Sequence, residues 1–319
     1  MILISRLGST IEEYVAAVAH REIACAEKGL RYPCIPDGLF YGPRQYQPTS
    51  STKLSALNNY LKVAPYVLPE DEVTHASVLW HGDLHAQNIF VDPENPTQIR
   101  GIIDWQSVSA YPLFTQVTRP GFLDFNGPIP KGLGRVSLPH NFDTMSLDEQ
   151  RKATALQQAQ TLHNIYMLRS VKQCPEAFQA ILQKDSLRHQ VTVAASLILM
   201  DYEPCLNNLL RDVEKEWPKI VGLGSDGQPA MPFPLHFSAV EIEQQEKDKT
   251  LWAQGVELMN DLINDTGGFK HWDGRVSNEE YETLKDELAS GIERFLDREA
   301  RNAEERAAWL KALLFVDND

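Results

Sequence analysis

Five residues, Asp92-Pro93-Glu94-Asn95-Pro96, dictate the topology of the middle of this chain. Two prolines so close together end a helix or a central strand, and Asp and Asn beside them form turns with their own backbone. Just before them stands the apolar run Ile89-Phe90-Val91; just after comes Ile99 to Ile103, interrupted by Arg100 and Gly101. Runs this short, bounded by turn residues, suit strands better than helices. The spacing therefore predicts a β-hairpin, Ile89–Val91 with Ile99–Ile103. Val78-Leu79-Trp80 is a third short apolar run, and residues 81–88 become a tight loop leading into the hairpin.

The remainder reads as helix and loop. Ser9 or Thr10, followed by Glu12 or Glu13, is a capping signature, and Ile11, Tyr14, Val15, Val18 and Ile23 recur at near-helical spacing. A helix is predicted over Thr10 to Lys28 and a second over Lys53 to Val63, with a Pro- and Gly-rich loop (33–43) between them. Tyr111 to Asn141 is rich in Pro and Gly and reads as irregular. Three capping boxes, Ser146 with Glu149, Ser238 with Glu241 and Ser277 with Glu280, each open a long amphipathic pattern. Gln173–Pro175 and Pro204 mark helix boundaries, Gly222 to Pro234 is a loop, and one last helix is predicted over Asn278 to Phe315. His163 and His189 read as packing residues, Trp252, Leu258, Leu262 and Trp309 as a core stripe, and Asp273-Gly274 as a turn. The fold class is α+β, mainly α.

The chemistry is concentrated in Trp80-His81-Gly82-Asp83-Leu84-His85-Ala86-Gln87-Asn88 and in Ile102-Ile103-Asp104-Trp105. Asp83 and Asn88 are five residues apart, and Asp104 follows sixteen further on, past the hairpin. Phosphoryl transfer to a hydroxyl needs a carboxylate to accept the hydroxyl proton. It also needs an amide oxygen and a second carboxylate to hold Mg²⁺ on the triphosphate. A hairpin brings its own ends together, so Asn88 and Asp104 can serve one ion of the hard, oxygen-seeking kind. His85 reads more simply as a partner for a backbone carbonyl.

This stretch resembles the catalytic loop and metal-binding segment of the aminoglycoside phosphotransferase and protein-kinase-like superfamily, which carries His-Gly-Asp-Leu-His and Ile-Asp-Trp at these points. Ser9 to Glu22 together with Trp80 to Pro112 is similar, more narrowly, to fungal phosphotransferase-like proteins named for altered inheritance of mitochondria. The resemblance implies the C-terminal lobe of a kinase-like fold, with a small catalytic hairpin and extended C-terminal helices. It implies that Asp83 is the catalytic-loop aspartate, that His81 props the loop, and that Asn88 and Asp104 bind metal. Residues 1–135 would form the catalytic lobe, with its loop and metal segment at 78–107, and 136–319 a helical continuation on the acceptor side. Mg²⁺ is the implied cofactor, with ATP if a nucleotide lobe is present, and the implied partner is a small-molecule acceptor. The usual Pro-Gly after the second histidine is Ala86-Gln87 here, which removes no chemical group.

One part of such an enzyme is not found. Upstream of His81 the glycines are Gly8, Gly29, Gly38 and Gly42, with no Gly-x-Gly, and Lys28, Lys53 and Lys62 fall in helical or loop contexts. A Gly-rich loop and a strand lysine would be needed to clamp the phosphates. Gly222-x-Gly224-x-x-Gly227 matches a phosphate-loop pattern, but prolines rather than a strand or helix follow it, and it reads as a loop. The chain is expected to be either the catalytic lobe of an incomplete phosphotransferase or a non-catalytic descendant that binds through the same lobe. A metallophosphoesterase would need further Asp, Asn and His motifs, and these are missing from the sequence.

Composition adds bounds. The 319 residues are 43% hydrophobic and 23% charged, as in ordinary globular domains, with a net charge of −14. So acidic a surface repels a phosphate backbone, which argues against nucleic acid, and leans toward a cationic acceptor. No run approaches the length of a membrane span. Cys25, Cys34, Cys174 and Cys205 form no metal or redox spacing and read as reduced, mostly buried thiols. The N-terminus shows no presequence and so reads as cytoplasmic, whereas the family resemblance implies mitochondria.

Overall fold

The computed structural model describes residues 10–30, 42–106, 108–266 and 279–313. In chain order its main elements are α1 (Ile11–Glu27), α2 (Ser50–Val63), β1 (Ser77–Leu79), β2 (Ile89–Val91), β3 (Ile99–Ile102), β4 (Ala110–Pro112) and α3 (Leu113–Gln116). They continue with α4 (Leu147–Gln173), α5 (Pro175–Gln183), α6 (Leu187–Ala194), α7 (Glu203–Val221), α8 (Ala239–Asp265), α9 (Tyr281–Glu299) and α10 (Ala303–Ala312). The chain is mainly helical and carries the β2–β3 hairpin, as the sequence predicted, together with a second two-stranded sheet, β1 with β4, that it did not.

Two compact units are present, one of residues 68–189 and one of 1–67 with 190–319.

In the unit of 68–189, β1 pairs antiparallel with β4, and β2 with β3. Leu113, Val117, Ala177 and Ala180 form a buried cluster, with Val78, Trp80 and Ile181 packed against it. α4 opens on the expected capping box, in which Ser146 and Glu149 satisfy each other's backbone N–H groups. It stops at Gln173 because Pro175 begins α5 and cannot continue the ladder of α4. The irregular stretch expected from Tyr111 is ordered at its start, where β4 and α3 take up residues 110–116. The partner strand that orders it lies thirty residues upstream, so no local pattern announces it.

In the other unit, Thr10 caps α1 by accepting the Glu13 N–H at 3.3 Å. Leu57, Tyr60, Ile198, Leu206 and Leu210 are fully buried. Lys53, buried in α2, donates to the Ile198 carbonyl at 2.8 Å, to Asp201 and to Glu203 at 3.2 Å. Tyr46 donates to the second oxygen of Glu203 at 2.9 Å. A second cluster joins Met259, Leu262, Phe295, Leu296, Trp309 and Leu313.

The single C-terminal helix expected over Asn278–Phe315 is two helices within the described residues, α9 and α10. The alternation of acid and base runs through the break, but Ala300 is extended and Asn302 caps α10 by accepting the Glu305 N–H at 2.9 Å. The capping box at Ser277, the Asp273-Gly274 turn and most of the 33–43 loop lie outside the described residues. Of the cysteines, Cys174 is exposed and Cys25 and Cys205 are half-buried, all free thiols; the expectation of mostly buried thiols does not hold for these three. No helix among the described residues is long and apolar enough to cross a membrane.

Candidate functional site

The loop between β1 and β2 is held at four points. Trp80 sits against the buried cluster of its unit and donates its indole N–H to Thr118 Oγ1 at 3.3 Å. His81 is buried, and its Nε2 lies 2.8 Å from the Ile103 carbonyl. A carbonyl only accepts, so Nε2 carries the proton. The ring meets Trp105 edge-on at 4.8 Å between centroids, and Trp105 in turn donates to the Ile102 carbonyl at 2.9 Å. Leu84 accepts from the Gly121 N–H at 3.0 Å. Asn88 is buried and donates its amide to the Asp83 carbonyl at 3.0 Å, which closes the loop across its base.

These bonds leave the Asp83 carboxylate outward, with its side chain 80% exposed and His85 Nε2 3.8 Å away. His85, expected to bond a carbonyl, stands beside this carboxylate instead, itself partly exposed.

The hairpin forms as the turn chemistry dictates. Asp92 accepts the N–H groups of Glu94 and Asn95 at 2.8 and 3.1 Å, and Arg100 from the opposite strand clamps its other oxygen. These contacts hold the Asp92 carboxyl below the usual carboxylate range, the Arg100 guanidinium contributing most. The ladder pairs Ile89 with Ile102 and Phe90 with Gly101, then shifts register before Val91. One further bond, from the Ile103 N–H to the Asn88 carbonyl at 3.0 Å, carries the pairing past the strand ends. The chain then turns at Asp104, which adopts a left-handed backbone with φ 66°. That conformation costs an L-residue about 1–2 kcal/mol, least for Gly, Asn and Asp.

The backbone thus joins the loop that bears His81, Asp83 and Asn88 to the residue immediately before Asp104. Thr118 and Gly121, which anchor the loop from outside, were not singled out from sequence; they lie in the Pro- and Gly-rich stretch, where no periodicity marks a contact.

The donor set suits a hard divalent cation. Among the described residues the Asn88 amide oxygen and the Asp104 carboxylate make no hydrogen bond or ion pair, and both are oxygen donors of the kind Mg²⁺ takes. No group of three or more His, Cys, Asp or Glu side chains among the described residues could hold a metal by itself. Two protein ligands with phosphate supplying others is the arrangement Mg²⁺ commonly adopts.

The loop thus feeds a hairpin within a mainly helical chain, and comparison with known proteins finds similarity over this stretch. Residues 47–115 match the phosphotransferase enzyme family. A subtelomeric hrmA-associated cluster protein of Aspergillus fumigatus is 33% identical over 154 residues, covering 48% of this chain and 30% of that protein. The mitochondrial protein altered inheritance of mitochondria protein 9 of Yarrowia lipolytica is 22% identical over 253 residues, 77% of this chain and 40% of that protein. The chain spans less than half the length of these curated relatives. No solved structure matches significantly.

Proposed function

We propose that this chain supplies the catalytic loop of an ATP- and Mg²⁺-dependent phosphotransferase acting on the hydroxyl of a small molecule. Asp83 takes the proton of that hydroxyl. The acceptor oxygen bonds to the γ-phosphorus, the bond from that phosphorus to its bridging oxygen breaks, and the departing diphosphate keeps the electron pair. His81 is a positioning residue: its bond to Ile103 ties the base of the loop to the end of the hairpin. Asn88 and Asp104 hold Mg²⁺, which when bound neutralises charge on the phosphates. The clamp on the β- and γ-phosphates is assigned to no residue of this chain, and residues 136–319 are proposed to build the acceptor side. The name of the Yarrowia relative supports a mitochondrial location.

The observation that carries this reading is the Ile103-to-Asn88 backbone bond, which extends the hairpin to within one residue of Asp104. A paramagnetic titration tests it. Mn²⁺ added to the labelled chain should broaden amide resonances of 83–88 and 102–105 first, and Asp104→Asn should abolish that local effect. Broadening centred on another acidic surface, or unchanged by Asp104→Asn, refutes the assignment.

A further inference from the structure

Residues 118–121 form a strap fastened at both ends to the loop that carries Asp83. Thr118 accepts from the Trp80 indole, and Gly121 donates to the Leu84 carbonyl. Arg119 stands between these two fastenings. Its Nη1 lies 2.8 Å from His163 Nδ1. A guanidinium only donates, so Nδ1 is the bare acceptor and the buried imidazole is neutral; burial first, then Arg119, pushes the His163 pKa down. The carboxylate facing Arg119 is Asp124, 3.7 Å away and itself mostly exposed, too distant for a hydrogen bond.

A second cation lies close by. Ile181, in the last turn of α5, packs with Trp80 on the cluster that contains Val117, and Lys184 follows three residues later. Its ammonium is half-buried and makes no hydrogen bond or ion pair among the described residues. Burial and then the Arg119 charge lower its pKa, with only the neighbouring Asp185 opposing. Beyond it, the buried His189 has an Nδ1 with no partner, and burial and Lys184 together lower its pKa. Arg119 and Lys184 thus flank the one cluster that holds Val117 and Ile181, and their like charges oppose each other. The carboxylate paired with Arg119, Asp124, is exposed and only loosely placed at 3.7 Å. An anion there would relieve the repulsion and gain charge-assisted hydrogen bonds.

We propose that Arg119 and Lys184 form an anion-binding subsite for the acceptor, so that the molecule phosphorylated carries a carboxylate or phosphate group besides its hydroxyl. This rests on the phosphotransferase reading for the word acceptor, and it reverses the lean toward a cationic substrate drawn from net charge. The surplus of acid is spread over the whole chain, whereas recognition is local to the strap beside the loop.

The test uses the whole chain with neither nucleotide nor metal, so its failure is separate from failure to transfer phosphate. Inorganic phosphate and malonate are titrated separately at constant ionic strength, followed by calorimetry and by the side-chain N–H resonance of Arg119. At least one should bind saturably, and the one preferred tells phosphate from carboxylate. Arg119→Gln and Lys184→Gln should each weaken it about ten- to a hundredfold, the worth of a hydrogen bond to a charged group. Lys152→Gln, an equal charge change on the exposed face of α4, should alter it less than about twofold. Circular dichroism checks folding, and Lys184→Gln, which breaks no internal bond, stands even if Arg119→Gln unfolds. Saturable binding of neither anion, or equal weakening by all three variants, overturns the proposal.

Discussion

Lys53 gives a prediction whose size can be worked out from its surroundings. Its ammonium is buried and shared among the Ile198 carbonyl, Asp201 and Glu203, both carboxylates being buried as well. Lys53→Met nearly preserves the volume of the stem but removes the charge, leaving two buried carboxylates without their cation. Tyr46 and Thr52 still donate to one Glu203 oxygen, at 2.9 and 3.3 Å, which offsets only part of the loss. Breaking a buried pair on one side costs about 3–5 kcal/mol, against about 1 kcal/mol or less for an exposed pair. Urea unfolding followed by tryptophan fluorescence should show a lower midpoint with an unchanged slope. The triple variant Lys53→Met, Asp201→Asn, Glu203→Gln should recover much of the stability, because no uncompensated charge remains. A loss below about 1 kcal/mol in the single variant would show that water reaches the cluster and would refute the argument.

Three further outcomes are expected. His81→Ala removes the Ile103 bond and the contact with Trp105, so hydrogen exchange at Ile103 and along the hairpin should quicken by a factor matching about 2 kcal/mol; unchanged protection would mean that His81 does not hold the loop. Glu22 has its pKa raised by burial, against the opposing pull of Arg21 and Lys53, so its stabilising contribution is complete below the unfolded carboxyl pKa and is lost as pH rises through the folded value. Stability measured upward from about pH 4 should therefore fall less steeply in Glu22→Gln than in the parent chain, and identical slopes would contradict this. Gly291 lies where α9 meets the end of α8, and a Cβ there would stand 2.5 Å from the Asp265 carbonyl oxygen. Gly291→Ala should cost about 1–3 kcal/mol by overpacking, and a neutral result in thermal unfolding would show that the two helices can separate.

What could be read from the sequence was what is decided locally. The Thr10 cap, the Ser146 and Ser238 boxes and the Asp92–Pro96 turn each depend on residues within five positions, and each appears as expected. The hairpin followed from that turn, and with it the return of the chain from Asn88 to Ile103. The pairing of Ser77–Leu79 with Ala110–Pro112 did not, because neither three-residue strand has a pattern of its own. Lys53 looked like any polar residue beside an apolar helix face; its partners lie about 150 residues on, and only packing buries them together. Arg119 and Lys184 were invisible for a similar reason, one in an aperiodic stretch and the other just past a helix end. The likeness to phosphotransferases drew attention to Asp83 and Asn88, but not to the strap that fixes their loop.

The left-handed backbone at Asp104 constrains how this site could change over generations. Three residues tolerate that conformation well: aspartate, asparagine and glycine. They differ sharply in what they offer a cation: a full charge, a neutral oxygen, or nothing. Replacing the aspartate with either alternative would leave the turn in place and the hairpin closed. At this position folding exerts almost no selection for the charge, so a copy that had gone silent would fold as well as one still at work. A descendant with asparagine or glycine at 104 would thus have shed the carboxylate without disturbing the scaffold. One with valine or isoleucine there would have had to rebuild the turn.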